Sequence, residues 1–262
     1  MKKCYILILA FILLLFVSCT SQTNTPEISN DVTLDSVTEQ INYANTELIK
    51  GLIHIKTTSY NHNIIGQITN FSVKTGSGVI FHEDELYYYY LSNNHVIYKE
   101  DGFTNVGYEG VDCYGSNYKS TLLFNDPEYD LSILRIKKIN NKLHVFPLSN
   151  EPLESGDILL SMGHPNNIIN VVTIGKFSEY RNVVIPDSNK LISDVKFPVL
   201  CHTCPTDGGN SGGALINLNY ELVGINYANL KNNDDFVFSF SIPIEKVKEF
   251  LNKTIFKDTN NE

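Results

Sequence analysis

The sequence lacks an excess of positive charge: its 262 residues contain 20 lysines and arginines against 29 aspartates and glutamates, a net charge of −9. The balance becomes more negative if residues 1–18, which contain two lysines and no acid, are removed. Nucleic acid and anionic lipid headgroups are poor partners for such an acidic protein, because charges of the same sign repel. Internal repeats and blocks of like charge are also missing. The composition, 42% hydrophobic and 19% charged, is globular and suits one large β domain or two small lobes.

The N-terminus lacks an apolar run long enough to span a membrane, which takes about 20 residues. Residues 5–17 are apolar and follow the basic pair Lys2-Lys3, a pattern typical of a secretion signal. The run ends at Phe16-Val17-Ser18-Cys19, which resembles the lipobox of bacterial lipoproteins except that Phe16 replaces the usual leucine. We therefore predict a signal peptide over residues 1–18 with lipid attached to Cys19, and plain secretion is the alternative.

Cysteine is scarce, and an odd number remains after the signal and Cys19: Cys113, Cys201 and Cys204. The Cys201-x-x-Cys204 spacing is compatible with a small disulfide, a redox pair or half of a zinc site. Because no second Cys or His pair stands at ligand spacing, the zinc signal is weak. We expect a local structural pair, and neither a metal nor an organic cofactor.

The residues after the signal predict a tether and then a folded domain. Residues 19–35 are polar and rich in Ser, Thr and Asn, as in a flexible linker. Apolar residues then recur at helical spacing and predict a short amphipathic helix: Val37, Ile41, Ala44 and Leu48.

From Leu52 onward the apolar pattern changes to period two and predicts about a dozen short strands separated by turns. Residues 64–74 and 76–81 are expected to form two separate strands, and residues 111–124 one or two more. Pro243 opens a final helix, whose apolar face holds Ile244, Val247, Phe250 and Leu251. Helices only at the two ends indicate an all-β domain of sandwich or barrel type.

One stretch, Gly208-Gly209-Asn210-Ser211-Gly212-Gly213, places a single hydroxyl among four glycines. Glycines allow a substrate to approach the backbone closely and leave N–H groups free to stabilise an oxyanion. A glycine-rich hairpin turn is the alternative interpretation. Two residues upstream favour chemistry, because His95 lies where a strand meets a turn and Asp130 directly precedes an apolar strand.

Seven pieces of the sequence resemble, in family order, the trypsin-like serine proteases of the HtrA (Deg) type. They occupy residues 76–80, 91–97, 130–136, 163–165, 209–215, 222–226 and 238–243. The resemblance implies two packed six-stranded antiparallel β-barrels, with short terminal helices and the active site between the barrels. We expect the protease domain at 36–255, with lobes at about 50–140 and 145–243, a polar tail at 256–262 and no PDZ domain.

The resemblance also implies the roles of the site residues. Ser211 corresponds to the nucleophile, His95 to the general base and Asp130 to the carboxylate that orients it. The backbone N–H groups of Gly209 and Ser211 correspond to the oxyanion hole. Asn210 stands where digestive proteases carry an aspartate that pairs with a newly cut N-terminus, so activation by that route is not expected.

The specificity pocket is expected to be lined by Thr206, Ile225, Asn226 and Tyr227, although ordinary packing explains each of them equally well. Asn226 is not the histidine that glutamate-specific relatives use, while Thr206 does resemble a pocket residue of that group. With no clear charged partner for a substrate, we expect a pocket for small or medium uncharged side chains.

The remaining histidines have no partner at family positions and are interpreted as structural or surface residues: His54, His62, His82, His144, His164 and His202. Because His202, Cys201 and Cys204 precede the nucleophile loop closely in sequence, redox control of that loop is a further hypothesis.

The sequence thus predicts an extracytoplasmic serine endopeptidase that acts on protein or peptide substrates, either anchored through Cys19 or secreted. The alternative is a catalytically silent lipoprotein that uses the same fold as a binding module. A glutamate-specific or toxin-like protease would differ only in its substrate.

Overall fold

The computed structural model describes residues 34–139, 142–183, 192–232 and 235–254. The predicted signal peptide, Cys19 and the tail at 256–262 lie outside these residues, as does the tether up to residue 33. The chain divides into two units, Met1–Ser36 and Val37–Glu262. Apart from residues 34–36, which begin the first helix, the elements described below lie in the second unit. Within the described ranges, no helix has the length and apolar character needed to cross a membrane.

The strands of the described residues form two closed antiparallel barrels, which confirms the predicted fold class. The first barrel has the order β1-β2-β3-β6-β5-β4 and is built from β1 (Leu52–His62), β2 (Ile68–Glu83), β3 (Tyr87–Ser92), β4 (Asn105–Val111), β5 (Asn117–Asp126) and β6 (Leu131–Lys137). The second has the order β10-β11-β12-β9-β8-β7 and is built from β7 (Ile158–Gly163), β8 (Val171–Arg181), β9 (Val199–His202), β10 (Ala214–Ile216), β11 (Leu222–Asn232) and β12 (Asp235–Pro243).

Helices lie mainly at the ends, as the sequence predicts. The first, α1 (Leu34–Thr46), takes in the end of the predicted tether, and α3 (Ile244–Thr254) follows Pro243 directly. A four-residue helix within the first barrel, α2 (Asn94–Ile97), was not predicted; it carries His95. The described residues also contain two short 3₁₀ segments, at Leu48–Gly51 and Pro165–Asn167.

The prediction of separate strands at 64–74 and 76–81 is wrong, because β2 runs without a break from Ile68 to Glu83. Its glycine does not end a strand, since Gly76 pairs with Ile55 of β1. A Cβ atom at Gly76 would lie 2.5 Å from the Val96 side chain and 3.3 Å from the Ser211 carbonyl oxygen. The glycine therefore allows a close approach of three segments rather than a turn.

The largest apolar cluster spans both barrels and fixes them against each other. It joins Leu52 and Val79 of the first barrel to Met162 and Ile242 of the second, with Phe250 of α3 packed among them. All five side chains are fully buried. Because burial of such side chains stabilises by about 1.5–3 kcal/mol each, the barrel interface is part of the core rather than a hinge.

The cysteines of the described residues are free thiols, with Cys201 and Cys204 buried and Cys113 half-buried. Burial raises the pKa of the Cys204 thiol to about 12. A thiol is reactive as its thiolate, so the hypothesis of redox control through this pair gains no support. The pair packs in the cores of the second barrel and the interface.

Two histidines are buried, as a structural interpretation requires. His164 is 2% exposed and His202 fully buried. Burial lowers the pKa of His164 to about 3, with a smaller effect from His54, and burial lowers the pKa of His202 to about 3. Both imidazoles are therefore neutral at physiological pH.

These two histidines predict a loss of stability in acid. Between about pH 6.5 and pH 3 the unfolded chain protonates His202 while the folded protein does not. The free energy of unfolding then falls with pH by about 1.4 kcal/mol per unit for each such histidine. Urea unfolding at pH values from 7.5 to 4.5 measures how steeply the free energy of unfolding depends on pH. In His202→Gln this dependence should be smaller by about 1.4 kcal/mol per pH unit below about pH 6.5. The same change at exposed His62 is the control, and an unchanged slope in His202→Gln contradicts the prediction.

Candidate active site

His95 is held in place by Asp130 through both its backbone and its ring. The backbone N–H of His95 donates to Asp130 Oδ1 at 2.8 Å, and its ring Nδ1 lies 2.6 Å from Asp130 Oδ2. The Asp130 carbonyl accepts two more bonds, from Asn93 Nδ2 at 2.9 Å and from the Asn94 N–H at 3.2 Å. One aspartate therefore anchors the start of α2 and the imidazole together.

Asp130 adopts a conformation that few residues tolerate. Its φ is +48°, in the left-handed region that aspartate enters more readily than most side chains. The residue is fully buried between β5 and β6. Backbone strain of this kind persists where the surroundings fix it and concentrates at functional sites. Here the strain points the carboxylate at α2.

The geometry fixes the tautomer of His95. A carboxylate only accepts hydrogen bonds, so the proton on the ring lies on Nδ1 and the Nε2 lone pair is free. The side chain of His95 is 29% exposed, which leaves Nε2 open to a reacting group. This is the arrangement that a general base requires.

The other end of α2 is held by Lys74 of β2. Its ammonium group donates to the Tyr98 carbonyl at 2.7 Å and to the His95 carbonyl at 3.4 Å. A cation suits the carbonyl end of a helical turn. Burial lowers the pKa of Lys74.

The loop that carries Ser211 has every carbonyl from residue 207 to 211 hydrogen-bonded. Within the loop, Asp207 O accepts from Asn210 N–H at 3.0 Å, and Asn210 O accepts from Gly213 N–H at 2.9 Å. The other three carbonyls are held by neighbouring segments: Gly208 O by Asn166 N–H at 2.7 Å, Gly209 O by Ser77 Oγ at 2.7 Å and Ser211 O by Ser77 N–H at 2.8 Å.

Two N–H groups of this loop remain unpaired. Among the described residues, neither the Gly209 N–H nor the Ser211 N–H has a hydrogen-bond acceptor. In a trans peptide the N–H points away from the carbonyl of the same unit. The Gly209 N–H shares a peptide unit with the Gly208 carbonyl, and the Ser211 N–H shares one with the Asn210 carbonyl. Because both carbonyls are hydrogen-bonded, each N–H points away from the group that holds its carbonyl. Unpaired donors on either side of a serine hydroxyl are what an oxyanion hole needs.

At position 209, any residue other than glycine would strain the backbone and collide with a neighbouring segment. Its φ is +99°, and a Cβ atom there would lie 2.5 Å from the His164 carbonyl oxygen. The β7–β8 connection thus presses directly on the nucleophile loop. The absence of a side chain permits the path that the loop follows.

The Ser211 hydroxyl donates to the Tyr227 carbonyl at 3.3 Å. Among the described residues, no hydrogen bond joins it to His95. Tyr227, the residue whose carbonyl accepts this bond, has its ring 6.3 Å from the His95 ring, centroid to centroid. In the absence of substrate the hydrogen bonds of such sites are often long, and they tighten when substrate binds.

A small cavity of about 80 Å³ opens beside Ser211. Of the predicted pocket residues, it is lined by Thr206, Asn226 and Tyr227, together with Ala228 and Asn229. The structure places Ile225 elsewhere: it is fully buried in the core at the barrel interface. Successive side chains of a strand point to opposite faces, so Ile225 turns away from the face that Asn226 presents.

The carboxylate of Asp207 links the loop to two other segments. It forms an ion pair with Lys231 of β11 at 2.9 Å and accepts from Asn166 Nδ2 at 3.2 Å. The Gly208 N–H also donates to it, at 2.8 Å. The hydrogen bond from Lys231, followed by those from Gly208 and Asn166, lowers the pKa of Asp207, so the cavity rim carries an ionised carboxylate that is paired with a lysine.

Sequence reasoning named the groups that surround the hydroxyl but missed the residues that position them. Ser77 and Asn166 donate hydrogen bonds to the loop that carries Ser211, and Asp207 ties the start of that loop to Asn166 and Lys231. The signal for Ser77 was present, because a serine between two glycines on a predicted strand marks a place where backbones meet. In the described part of the chain, no cluster of three or more His, Cys, Asp or Glu side chains could hold a metal ion.

Comparison with known proteins gives related sequences. A serine endoprotease DegS of Haemophilus influenzae is 30% identical over 205 residues, 75% of this chain and 54% of its own length. A probable periplasmic serine protease do/HhoA-like of Haemophilus influenzae is 29% identical over 181 residues, 69% of this chain and 36% of its own. The periplasmic serine endoprotease DegP of Escherichia coli is 28% identical over 191 residues. The chain thus spans about a third to a half of these relatives.

Solved structures share the fold. The HtrA-type protease AlgW with a tripeptide superposes with a TM-score of 0.63 at 23% identity, over 81% of this chain and 62% of that one. The Rv3671c protease from M. tuberculosis in its active form gives 0.62 at 21% identity, over 82% of this chain and 85% of that one.

A family model for the trypsin-like peptidase domain matches residues 76–225, more than half of the chain. The match takes in His95, Asp130 and Ser211. Together with relatives of the HtrA type, it confirms the resemblance that the motifs carry. The chain therefore belongs to the trypsin-like peptidase domain family.

Proposed function

We propose that the protein is a serine endopeptidase with Ser211 as nucleophile, His95 as general base and Asp130 as the orienting carboxylate. The observation that carries the proposal is the paired bonding of His95 to the buried Asp130, with ring Nδ1 2.6 Å from the carboxylate. This bond leaves Nε2 free to take a proton. Membership of the trypsin-like peptidase family supports it.

In the acylation half of the proposed reaction, Ser211 Oγ attacks the carbonyl carbon of the scissile peptide and its proton passes to His95 Nε2. The Asp130 carboxylate stabilises the imidazolium that results. The carbonyl oxygen becomes an oxyanion and accepts hydrogen bonds from the N–H groups of Gly209 and Ser211. When the C–N bond breaks, His95 returns the proton to the amine, which leaves, and Ser211 holds the acyl group as an ester.

In the deacylation half, a water molecule attacks the ester carbonyl while His95 takes its proton. The same two N–H groups stabilise the second oxyanion. The Ser211–acyl bond then breaks, His95 returns the proton to Ser211 Oγ, and the acid product leaves. No metal or organic cofactor takes part in these steps.

The proposed location is outside the cytoplasm, on a lipid anchor at Cys19 or as a secreted protein. The N-terminal apolar run and the lipobox-like sequence support it, as do curated relatives described as periplasmic. Protein or peptide substrates follow from the proposed chemistry. The domain limits of 36–255 and a tether before them belong to the same proposal.

A fluorophosphonate probe tests the nucleophile. We expect the wild-type protein to be labelled, and Ser211→Ala and His95→Ala not to be, because the hydroxyl reacts only when His95 takes its proton. Labelling is read by intact mass, with thermal unfolding as the control for folding. A folded wild type that stays unlabelled would overturn the proposal and favour the binding module, in which Ser211 stays bonded to Tyr227.

The oxyanion hole is tested by Gly209→Ala. The new methyl group would collide with the His164 carbonyl and displace an N–H donor, so we expect kcat to fall by about 10²–10³-fold, as for one lost donor. Gly156→Ala is the matched control, since Gly156 has φ +100° but open space around its Cβ position. It should keep full activity, and equal activity in both variants would contradict the assignment.

The cavity predicts the preferred substrate. About 80 Å³ is roughly half of a cavity that admits benzene, at about 150 Å³. We therefore expect cleavage after Ala, Ser, Thr or Val, and weak cleavage after aromatic or charged residues. Profiling with a peptide library measures this, and Thr206→Gly should broaden it toward larger side chains. A preference for Glu would instead support the glutamate-specific alternative.

A further inference from the structure

Ser77 lies where the first barrel meets the nucleophile loop of the second. It is fully buried in β2, paired with His54 of β1. Its backbone N–H donates to the Ser211 carbonyl at 2.8 Å. Its own carbonyl accepts from Ser92 Oγ at 2.7 Å, which ties β2 to the strand that leads into α2. A single residue thus contacts both segments that carry the proposed catalytic groups.

The hydroxyl of Ser77 makes two hydrogen bonds, and the chemistry of each partner fixes which group is the donor. It donates to the Gly209 carbonyl at 2.7 Å and accepts from the His164 N–H at 3.0 Å. A carbonyl only accepts and an N–H only donates, so the hydroxyl proton is committed to Gly209. The β7–β8 connection, β2 and the nucleophile loop are therefore joined through one oxygen atom.

Close packing keeps this oxygen in place. A Cβ atom at Gly163 would lie 3.0 Å from Ser77 Oγ, and one at Gly212 would lie 2.1 Å from the Ser77 carbonyl oxygen. The two glycines let the backbones close around Ser77. If the hydroxyl were removed, the Gly209 carbonyl and the His164 N–H would lose this partner inside the protein, and the loop could relieve that only by turning its peptides.

We infer that Ser77 is a positioning residue for the oxyanion hole. It holds the carbonyls of Gly209 and Ser211 and so fixes the peptide units 209–210 and 211–212. The two N–H groups of the hole belong to units 208–209 and 210–211, and each of these is followed directly by a unit that Ser77 fixes. Ser77 touches no substrate atom in this role. The inference rests on the proposed function, because a hole has a use only if an oxyanion forms there.

The test is Ser77→Ala against Ser149→Ala. Ser149 is another fully buried serine whose Oγ accepts a backbone N–H, that of Glu151 at 3.2 Å, and it lies outside the nucleophile loop. For Ser77→Ala we expect kcat and the fluorophosphonate rate to fall by about 10–10²-fold, within the effect of one lost donor. KM should stay within about twofold, since the hole binds the transition state and not the ground state. Ser149→Ala should match the wild type.

A peptide boronate, which forms a tetrahedral adduct with the serine, gives a second readout. Its affinity should fall in parallel with kcat, whereas the affinity of the product peptide should not change. If Ser77→Ala does not fold, Ser77→Cys takes its place, because a thiol is a weaker donor and should give an intermediate loss.

The outcomes separate the two claims. An active wild type with an equally active, folded Ser77→Ala overturns this inference alone, as does a variant that loses affinity for the product peptide instead of kcat. If Ser77→Cys is used, full wild-type activity of that variant likewise overturns this inference alone. A wild type that is neither labelled nor active overturns the proposed function and this inference with it.

Discussion

The candidate site depends on hydrogen bonds to carbonyl groups as much as on its side chains. From Asp207 to Ser211 each carbonyl has a donor, and three of the five donors come from Asn166 and Ser77, outside the loop. Since a trans peptide fixes the N–H opposite its carbonyl, the bonds to the Gly208 and Asn210 carbonyls determine where the unpaired N–H groups of Gly209 and Ser211 point. The two bonds from Ser77 fix the peptide units that follow them. The hole is therefore set by its surroundings rather than by the glycines, which only permit the path.

The same logic applies to His95, the proposed base. The buried Asp130 reaches His95 twice and holds the start of α2 by its carbonyl, so helix, ring and tautomer are fixed together. Its left-handed backbone is a local cost that these four bonds offset. A residue in an ordinary strand conformation at this position would turn its carboxylate away from α2. Strain and preorganisation are thus two aspects of one contact.

How far the sequence predicts this structure depends on the range of each interaction. Period-two alternation and turn residues predicted most of the strands, and the motifs predicted one site for His95, Asp130 and Ser211, of which the structure shows the contact of His95 with Asp130. The break expected at Gly76 was wrong because a glycine that permits a close approach looks the same in sequence as one that makes a turn. The contact of Ser77 with Gly209 spans 132 positions, and no local pattern predicts such a pairing. The prediction that Ile225 lines the pocket was wrong, because the sequence does not show which face of β11 points toward the cavity.

The position of the site between the barrels makes interface packing a condition for chemistry. His95 and Asp130 belong to the first barrel and Ser211 to the second, so a shift of one barrel against the other would separate the proposed base from the proposed nucleophile. Two features oppose such a shift: the apolar cluster shared by both barrels, and the glycines at 76, 163 and 212, where a Cβ atom would meet another segment within 3.3 Å. Misplacement by about 1 Å can cost about 10²-fold in rate. The close backbone contacts that these glycines permit are therefore as necessary to the proposed reaction as the three side chains that carry it out.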